Sequence, residues 1–544
     1  MRNNSETTEI YQNEQDTSQK VLDIDEAMEK VGQRHKYQKV VTFFSSLTMF
    51  FATFCYMVIP YYLSPPTFEC LKNGQWETCD EDNGACDSTL QSRMTINVNS
   101  SISAQLELYC GNRIWRTIIQ STPYFGCIVG IFIFNYFSDN KGRAITIKVC
   151  WVIGVVFSLI LNFSTNIPML LIGSFGIGFG IQTLLSLVIV NCNEISAGQF
   201  RVIAVILLYV LWSVNEMQYI WVFKVIPNWK WCTFICFTAP MCILTIFPFF
   251  FIRDSPRYLY QKSRQKCLQA LNYIAEFNKR EKLSEYELKE EGRNDDRIYS
   301  YLDLFRYRSQ RNATIFMMIL FISPHILYYG IQVSLDQIGS SFEENSLYIG
   351  IGEFIGYVTS DLISHRVARK KGTFFSLLIT CTLCISFIFF QIPESCKNSD
   401  QSCWQKPFQS FMAALSRCIV SLTFSLMVLL CGETYPTTLK SVGYGFNFAI
   451  GMIGSFLSPY IVDLSNKLGI IPIVSLGVLA LIGCVAVCFL KETLNQPLLQ
   501  EVPELLPRAS SRQSLLIHPP QIDSQDQENQ SISQINQVKN ILIN

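Results

Sequence analysis

Runs of about twenty mostly apolar residues, separated by short polar segments, set the pattern of this chain. Twelve such runs lie at 40–63, 113–137, 145–163, 167–191, 202–226, 232–252, 311–332, 345–364, 373–391, 408–432, 441–464 and 470–490. A bilayer core about 30 Å thick calls for about 20 apolar residues per helix. Each run therefore predicts a membrane-spanning helix, numbered here spans one to twelve. Two long polar segments break the series. The predicted organisation is a cytosolic N-terminal tail (1–38), a six-helix half (39–252) with a large extracytosolic loop (64–112), a cytosolic linker with short helices (253–310), a second six-helix half (311–491) and a C-terminal tail (492–544). The Asn, Gln and Ser content of 1–20 and 520–544 predicts disorder there. Residues 1–38 are too polar for a signal peptide.

Composition agrees with an all-α polytopic membrane protein. Of 544 residues 49% are hydrophobic, 40 are Phe and only 16% are charged. The formal net charge is zero, which gives no electrostatic reason to expect nucleic acid as a partner. Lys and Arg gather in Lys30–Lys39, Lys141–Lys148, Arg253–Arg311 and Arg366–Lys371, while alternate short loops such as Ser164–Asn166 have none. Both termini are therefore expected in the cytosol, with the plasma membrane the expected location. The same topology sorts the 20 cysteines. Cys70, Cys79, Cys86 and Cys110 share the loop after span one, and Cys396 and Cys403 share another extracytosolic loop. Disulfides are expected there, with pairing left open, and apolar packing is expected for the remaining thiols. Asn99 of "NSS" is the sequon placed for glycosylation. No His lies in either loop, so zinc is a weak alternative and no metal site is expected.

Six helices, a linker and six helices describe a duplicated molecule, and the loop between spans two and three tests this. "SDNKGRA" there, from Ser138, corresponds to "SHRVARKK", from Ser364, between spans eight and nine. The second copy is degraded, with His365 and Ala368 at altered places, but basic. Asp139 stands where span two leaves the membrane, and Lys141 and Arg143 flank Gly142. A carboxylate so placed can accept from amides at a neighbouring helix start and pair with Arg143. That latch is worth about 0.3–1 kcal/mol, up to about 2 when partly buried.

Asp139, Gly142 and Arg143 resemble the signature of the major facilitator superfamily, with Asn135 where a glycine is usual. Further stretches resemble its organic cation and anion transporter family: "VGQRHKYQK" before span one, "LYCGNRIWR" with Gln120 at span two, and Asp254, Ser255, Pro256 and Arg257 after span six. To these add "LYYG" in span seven and Glu433, Tyr435, Pro436, Thr437 and Lys440 after span ten. The resemblance runs from about Val31 to Glu492 and implies movement of small charged organic molecules across the bilayer.

Polar residues inside the bundle carry the substrate argument, since a charge at the helix centre costs about 2.5–3.5 kcal/mol on insertion scales. Glu353, midway along span eight, can attract a cation, carry a proton or serve as a hydrogen-bonded partner for another helix. Arg417 of span ten is a counter-charge, either to Glu353 or to an anionic substrate. Glu216, near the middle of span five, matches no motif of the resemblance and is a candidate for this chain's own specificity. Lys224 lies eight residues further on, about 12 Å along the helix. Tyr328 and Tyr329 match an aromatic pair of the family's pocket, suited to planar cations. Two determinants are missing: Met452 stands in span eleven where the family carries a charge, and Ser174 in span four where the superfamily often has arginine.

These readings give a transporter of small organic ions working by alternating access, uniport or secondary active, with a proton or ion as a candidate coupling partner. Asp139, Arg143, Glu194, Arg201, Asp254, Arg257, Glu433 and Lys440 are expected to close the cytosolic side by ion pairing. A sugar or other neutral-solute porter is the alternative that Met452 favours. A non-transporting receptor or structural subunit is the alternative that the degraded second loop favours. No phosphate-binding Gly-rich loop or activated nucleophile is apparent, so no cofactor and no enzymatic activity are expected. In the tail, Ser511 and Ser514 follow arginines in "RASSRQS", the context of a basophilic kinase.

Overall fold

The computed structural model describes residues 22–494, apart from positions 33, 73, 80, 82–84, 88–90, 96–97, 197, 285–286, 289–299, 394–402 and 437–438. Span one is Lys36–Met57, continued by Ile59–Tyr62. Span two is Ile114–Lys141, span three Arg143–Asn162, span four Ile167–Ile195, span five Gly198–Val225 and span six Trp229–Phe251. The second half contains Arg308–Val333, Phe342–Arg366, Arg369–Ser386, Gln405–Thr434, Lys440–Lys467 and Pro472–Cys488 as spans seven to twelve. Among the described residues nine of these are long and apolar enough to cross a membrane. The others, spans eight, nine and twelve, stand where the sequence pattern put them. Span eight carries Glu343, Glu344 and Glu353, which lower its hydropathy.

Local chemistry explains the helix ends. Asn166 accepts from Met169 N at 2.9 Å to start span four, and Ser341 accepts from Glu344 N at 3.3 Å to start span eight. Span two ends at Gly142, whose φ of +117° turns the chain directly into span three. A side chain there would also collide with the Asp254 carboxylate. Spans four and six are each interrupted by a π-turn, at Gly178–Gln182 and Phe234–Thr238.

The two halves meet in a symmetric way. Span two packs on span eleven, and span five on span eight. Because each span has its counterpart six places on, these are two copies of one contact, as a duplicated bundle requires. Where span eight crosses span five, a Cβ on Gly350 would lie 2.8 Å from Met217 Cγ and 3.2 Å from its backbone N. Glycine at this position lets the helices approach closely.

The loop after span one is an ordered cap. Strands β1 (Phe68–Lys72), β2 (Gln75–Cys79) and β3 (Ser92–Met94) form an antiparallel sheet in the order β2-β1-β3. Disulfides join Cys70 to Cys79 and Cys86 to Cys110, which resolves the pairing that spacing left open. Cys403 is also disulfide-bonded, and Cys396 lies outside the described residues. Ser101 and Ser103 hydroxyls donate to the Tyr62 and Leu63 carbonyls at 3.0 and 2.9 Å, fixing the cap to span one. Asn99 is exposed on the turn Val98–Ser100.

The N-terminal segment, expected as a tail through residue 38, contains a docked helix, Ile24–Lys30, held by a capping box at Asp23 and Glu26. Ala27, Met28 and Val31 are buried, and the helix packs on the linker helix Pro256–Lys262. The Asn278 side chain ties the segment down, accepting from Tyr37 N at 2.8 Å and donating to Val31 O at 3.0 Å.

Candidate functional site

Three charged side chains with no solvent exposure meet between the halves: Glu216 of span five, Glu353 of span eight and Arg417 of span ten. Arg417 Nη2 lies 3.0 Å from Glu216 Oε1 and 3.2 Å from Oε2, and Arg417 Nε donates to Glu353 Oε2 at 3.1 Å. Its third nitrogen, Nη1, donates to the Tyr328 carbonyl at 2.6 Å, and the guanidinium carbon sits 3.3 Å from the centre of the Tyr328 ring. Tyr328 OH donates to Glu353 Oε1 at 2.7 Å and accepts from Trp212 Nε1 at 2.9 Å. Tyr329 stacks edge-on with Tyr124 of span two, centroids 4.8 Å apart.

Arg417 is thus paired with two carboxylates, Glu353 and Glu216, rather than one. All three guanidinium nitrogens are occupied by protein groups, and the formal charge of the trio is −1. Among the described residues Glu216 contributes the one charged link from the first half to the other two. Trp212 and Tyr219, missed in the sequence, flank Glu216 at spacings of four and three residues on the same helical face. Tyr219 OH lies 3.0 Å from Ser346 Oγ across the interface. Gln120 is half-buried on span two and takes no part in the bonds of this cluster. Met452 is buried in a small apolar cluster with Cys127, Ile131 and Ala449, so a sulfur and methyl groups fill the place of the missing charge.

Contacts join the halves above and below the trio. On the side of the strand-bearing loop Lys224 Nζ pairs with Glu343 Oε2 at 2.5 Å, and Gln332 Nε2 donates to the Met57 carbonyl at 3.3 Å. On the opposite side Ser441 Oγ, at the start of span eleven, donates to Asp139 Oδ2 at 3.3 Å. Between these contacts the three charged side chains are shielded from solvent.

The residues expected to pair at this end of the bundle divide differently from the expectation. Asp139 pairs with Arg143, and Arg143 Nη2 also holds Glu194 Oε1 at 3.2 Å. The role of accepting from the amide at a neighbouring helix start belongs to Asp254, whose Oδ1 takes Ala144 N at 2.8 Å. Ser255 Oγ donates to Glu194 Oε2 at 2.5 Å, and Arg257 and Arg201 both turn to Asp25 of the docked N-terminal helix, at 2.5 and 4.0 Å. These pairs lie within the first half, and the link from Asp139 to Ser441 is what carries the network across. Lys440 has no carboxylate within ion-pair distance among the described residues, and Thr437 and the His365 side chain lie outside them.

The second half repeats the arrangement. Arg369 opens span nine as Arg143 opens span three, and its Nε lies 3.4 Å from Oε1 of Glu433, at the end of span ten as Glu194 is of span four. Glu492, after span twelve, accepts from Lys370 N at 3.3 Å, as Asp254, after span six, accepts from Ala144 N. Burial would push the Glu492 carboxyl up, but the amides of Leu494, Lys370 and Thr493 hold it below the usual carboxylate value. The Arg369–Glu433 pair is thus present although the loop departs from the usual pattern at 365 and 368.

A family model described as sugar (and other) transporter matches residues 75–505. The chain belongs to this family. Among relatives, organic cation transporter 1 of Caenorhabditis elegans is 24% identical over 410 residues, covering 73% of this chain and 68% of that protein. Organic anion transporter 3 of Oryctolagus cuniculus is 24% identical over 453 residues, 78% and 80% of the two chains. The inward-open structure of the xylose transporter XylE from E. coli superposes with a TM-score of 0.54 at 14% identity, covering 85% of this chain and 98% of XylE. That likeness concerns the fold, the major facilitator fold named for the same transporter in another structure. The chain is a multi-pass membrane transporter, not an enzyme.

Proposed function

We propose that this transporter moves small organic cations across the plasma membrane by alternating access, with the site at Glu353, Glu216 and Tyr328 and both termini in the cytosol. The observation that carries this reading is the trio's composition: two carboxylates against one guanidinium, fully buried, favour a positive ligand over a negative one. An anionic substrate needs a free donor, and Arg417 has committed its nitrogens to protein acceptors. A neutral sugar leaves the charge of −1 unanswered. The Tyr328 and Tyr329 rings supply faces for a planar or quaternary cation.

Arg417 acts in this scheme as an internal cation that holds both carboxylates when no substrate is present. Substrate entry competes for Glu353 and Glu216, loosens the tie between spans five and ten, and lets the halves rock. The pairs at Asp139, Arg143, Glu194 and Ser441, with their second-half counterparts, hold the cytosolic face shut and separate on inward opening. Asn99, exposed in the extracytosolic cap, is the proposed glycan acceptor; Ser511 and Ser514 lie outside the described residues.

The test is uptake of a labelled panel of organic cations, anions and zwitterions into oocytes, with Glu353→Gln alongside. Saturable cation uptake that the substitution abolishes at equal surface expression is the expected result. Saturable anion uptake with no cation uptake refutes the assignment.

A further inference from the structure

We propose that His325 of span seven is a second anchor of the site. It accepts a hydrogen bond from the far end of an aromatic cation, so the transporter favours aryl cations that carry a hydroxyl or N–H donor across the ring from the charge. This rests on the cation reading above and narrows its substrate class. His325 is 1% exposed, yet only one of its ring nitrogens is bonded within the protein. Nδ1 lies 2.6 Å from the Phe321 carbonyl. A carbonyl only accepts, so Nδ1 holds a proton and donates it. Nε2 makes no hydrogen bond to the described residues.

The surroundings decide what Nε2 offers. Phe424 of span ten stands edge-on to the imidazole with centroids 4.8 Å apart, Phe448 of span eleven at 5.6 Å, and Phe321 and Tyr329 of its own span stack beside it. A second proton on the ring would be a buried charge with no carboxylate among these neighbours to meet it. Tyr329 is the one titratable group in that wall, and a phenol is neutral at physiological pH. Nε2 therefore keeps its lone pair and is a buried acceptor without a donor. Packing alone would be served by leucine or phenylalanine at this position and gives no reason for an orphaned nitrogen. A ligand that supplies the donor relieves that cost.

Position makes His325 part of the same site. It stands one helical turn from Tyr329, and the Phe424 ring touches both Tyr328, at 5.5 Å, and His325. Tyr328 in turn donates to Glu353. A cation held at Glu353 thus has the Tyr328 and Phe424 rings along its body and His325 beyond them. A small ammonium ion fills only the first position, whereas an aryl cation spans both. Span eleven makes the room: a Cβ on Gly451 would lie 2.7 Å from His325 Cε1, and one on Gly454 3.2 Å from His325 Cβ. The next residue, Met452, brings no charge to this end of the site.

The experiment uses the full chain in proteoliposomes and three permanently charged probes of one shape, phenethyltrimethylammonium and its 4-hydroxy and 4-fluoro analogues. Fluorine stands where the hydroxyl does but donates nothing. The expected result is a half-saturation concentration about three- to tenfold lower for the 4-hydroxy probe than for the other two, the worth of one hydrogen bond. His325→Phe is expected to bring the three probes together, and His325→Gln, which retains an acceptor, to keep part of the preference. His325→Leu reads the same point where His325→Phe gives no folded protein. Equal handling of the 4-hydroxy and 4-fluoro probes by wild type overturns the proposal, as does a preference undiminished when the imidazole is replaced by phenylalanine or leucine. Saturable uptake of other organic cations but of none of the three probes overturns it while leaving the cation reading standing. No saturable uptake of any organic cation by folded protein overturns both.

Discussion

Replacing Arg417 by methionine keeps most of the side-chain volume but removes the charge that joins spans five, eight and ten. The loss comprises the bonds to Glu216 Oε1 and Oε2, to Glu353 Oε2 and to the Tyr328 carbonyl, all at full burial. A buried acceptor left without its donor costs about 1–3 kcal/mol, more when charged, and breaking a buried ion pair from one side costs about 3–5 kcal/mol. These figures overlap rather than add, so the expected destabilisation is about 3–5 kcal/mol. Most of it is the exposure of one carboxylate to another without a cation. Adding Glu216→Gln to Arg417→Met removes that conflict and is expected to recover a large part of the loss. The assay is the thermal unfolding midpoint in detergent for wild type, both single variants and the double variant, arranged as a double-mutant cycle. A midpoint for Arg417→Met within the range of exposed substitutions, about 0.5 kcal/mol, or a double variant no better than the single one, refutes the reasoning.

Three further outcomes are expected. Gly350→Val places branched carbon against the Met217 backbone and is expected to cost about 1–3 kcal/mol and to lower cation uptake, read from the unfolding midpoint and from transport. Asp254→Ala and Glu492→Ala each remove an acceptor from the start of a spanning helix, span three and span nine, and are expected to cost about 0.5–2 kcal/mol in similar measure, read by midpoint; a large effect at one site only contradicts the symmetry. Because the folded Glu492 carboxyl is held below its usual value, its contribution is complete above the ordinary carboxylate range and is lost as pH falls through the folded value, so the Glu492→Ala penalty is expected to shrink on acidification and to be constant near neutrality.

The bundle was legible because twenty apolar residues in a row admit few other fates, and the positions of all twelve runs agree with the helices. Gly142 and Asp139 were legible for a similar reason: a tight turn and an intramembrane-edge carboxylate are costly without a use. Glu353, Arg417 and Glu216 were singled out because burying charge is expensive, yet sequence gave no means of deciding which would pair. That outcome depends on spans five, eight and ten converging, a long-range fact. Glu492 and Arg369 were overlooked because their first-half counterparts differ in local spelling, although position within the repeat is the same. The docked helix Ile24–Lys30 escaped notice because its anchor, Asn278, lies some 250 residues away in the chain.

The most direct test of the central claim is binding of a shape-matched pair of ligands, one cationic and one anionic, to the purified transporter by isothermal titration. The account predicts saturable binding of the cation that Glu353→Gln weakens at least tenfold, with no binding of the anion. Tight binding of the anion, undisturbed by Glu353→Gln, would contradict it.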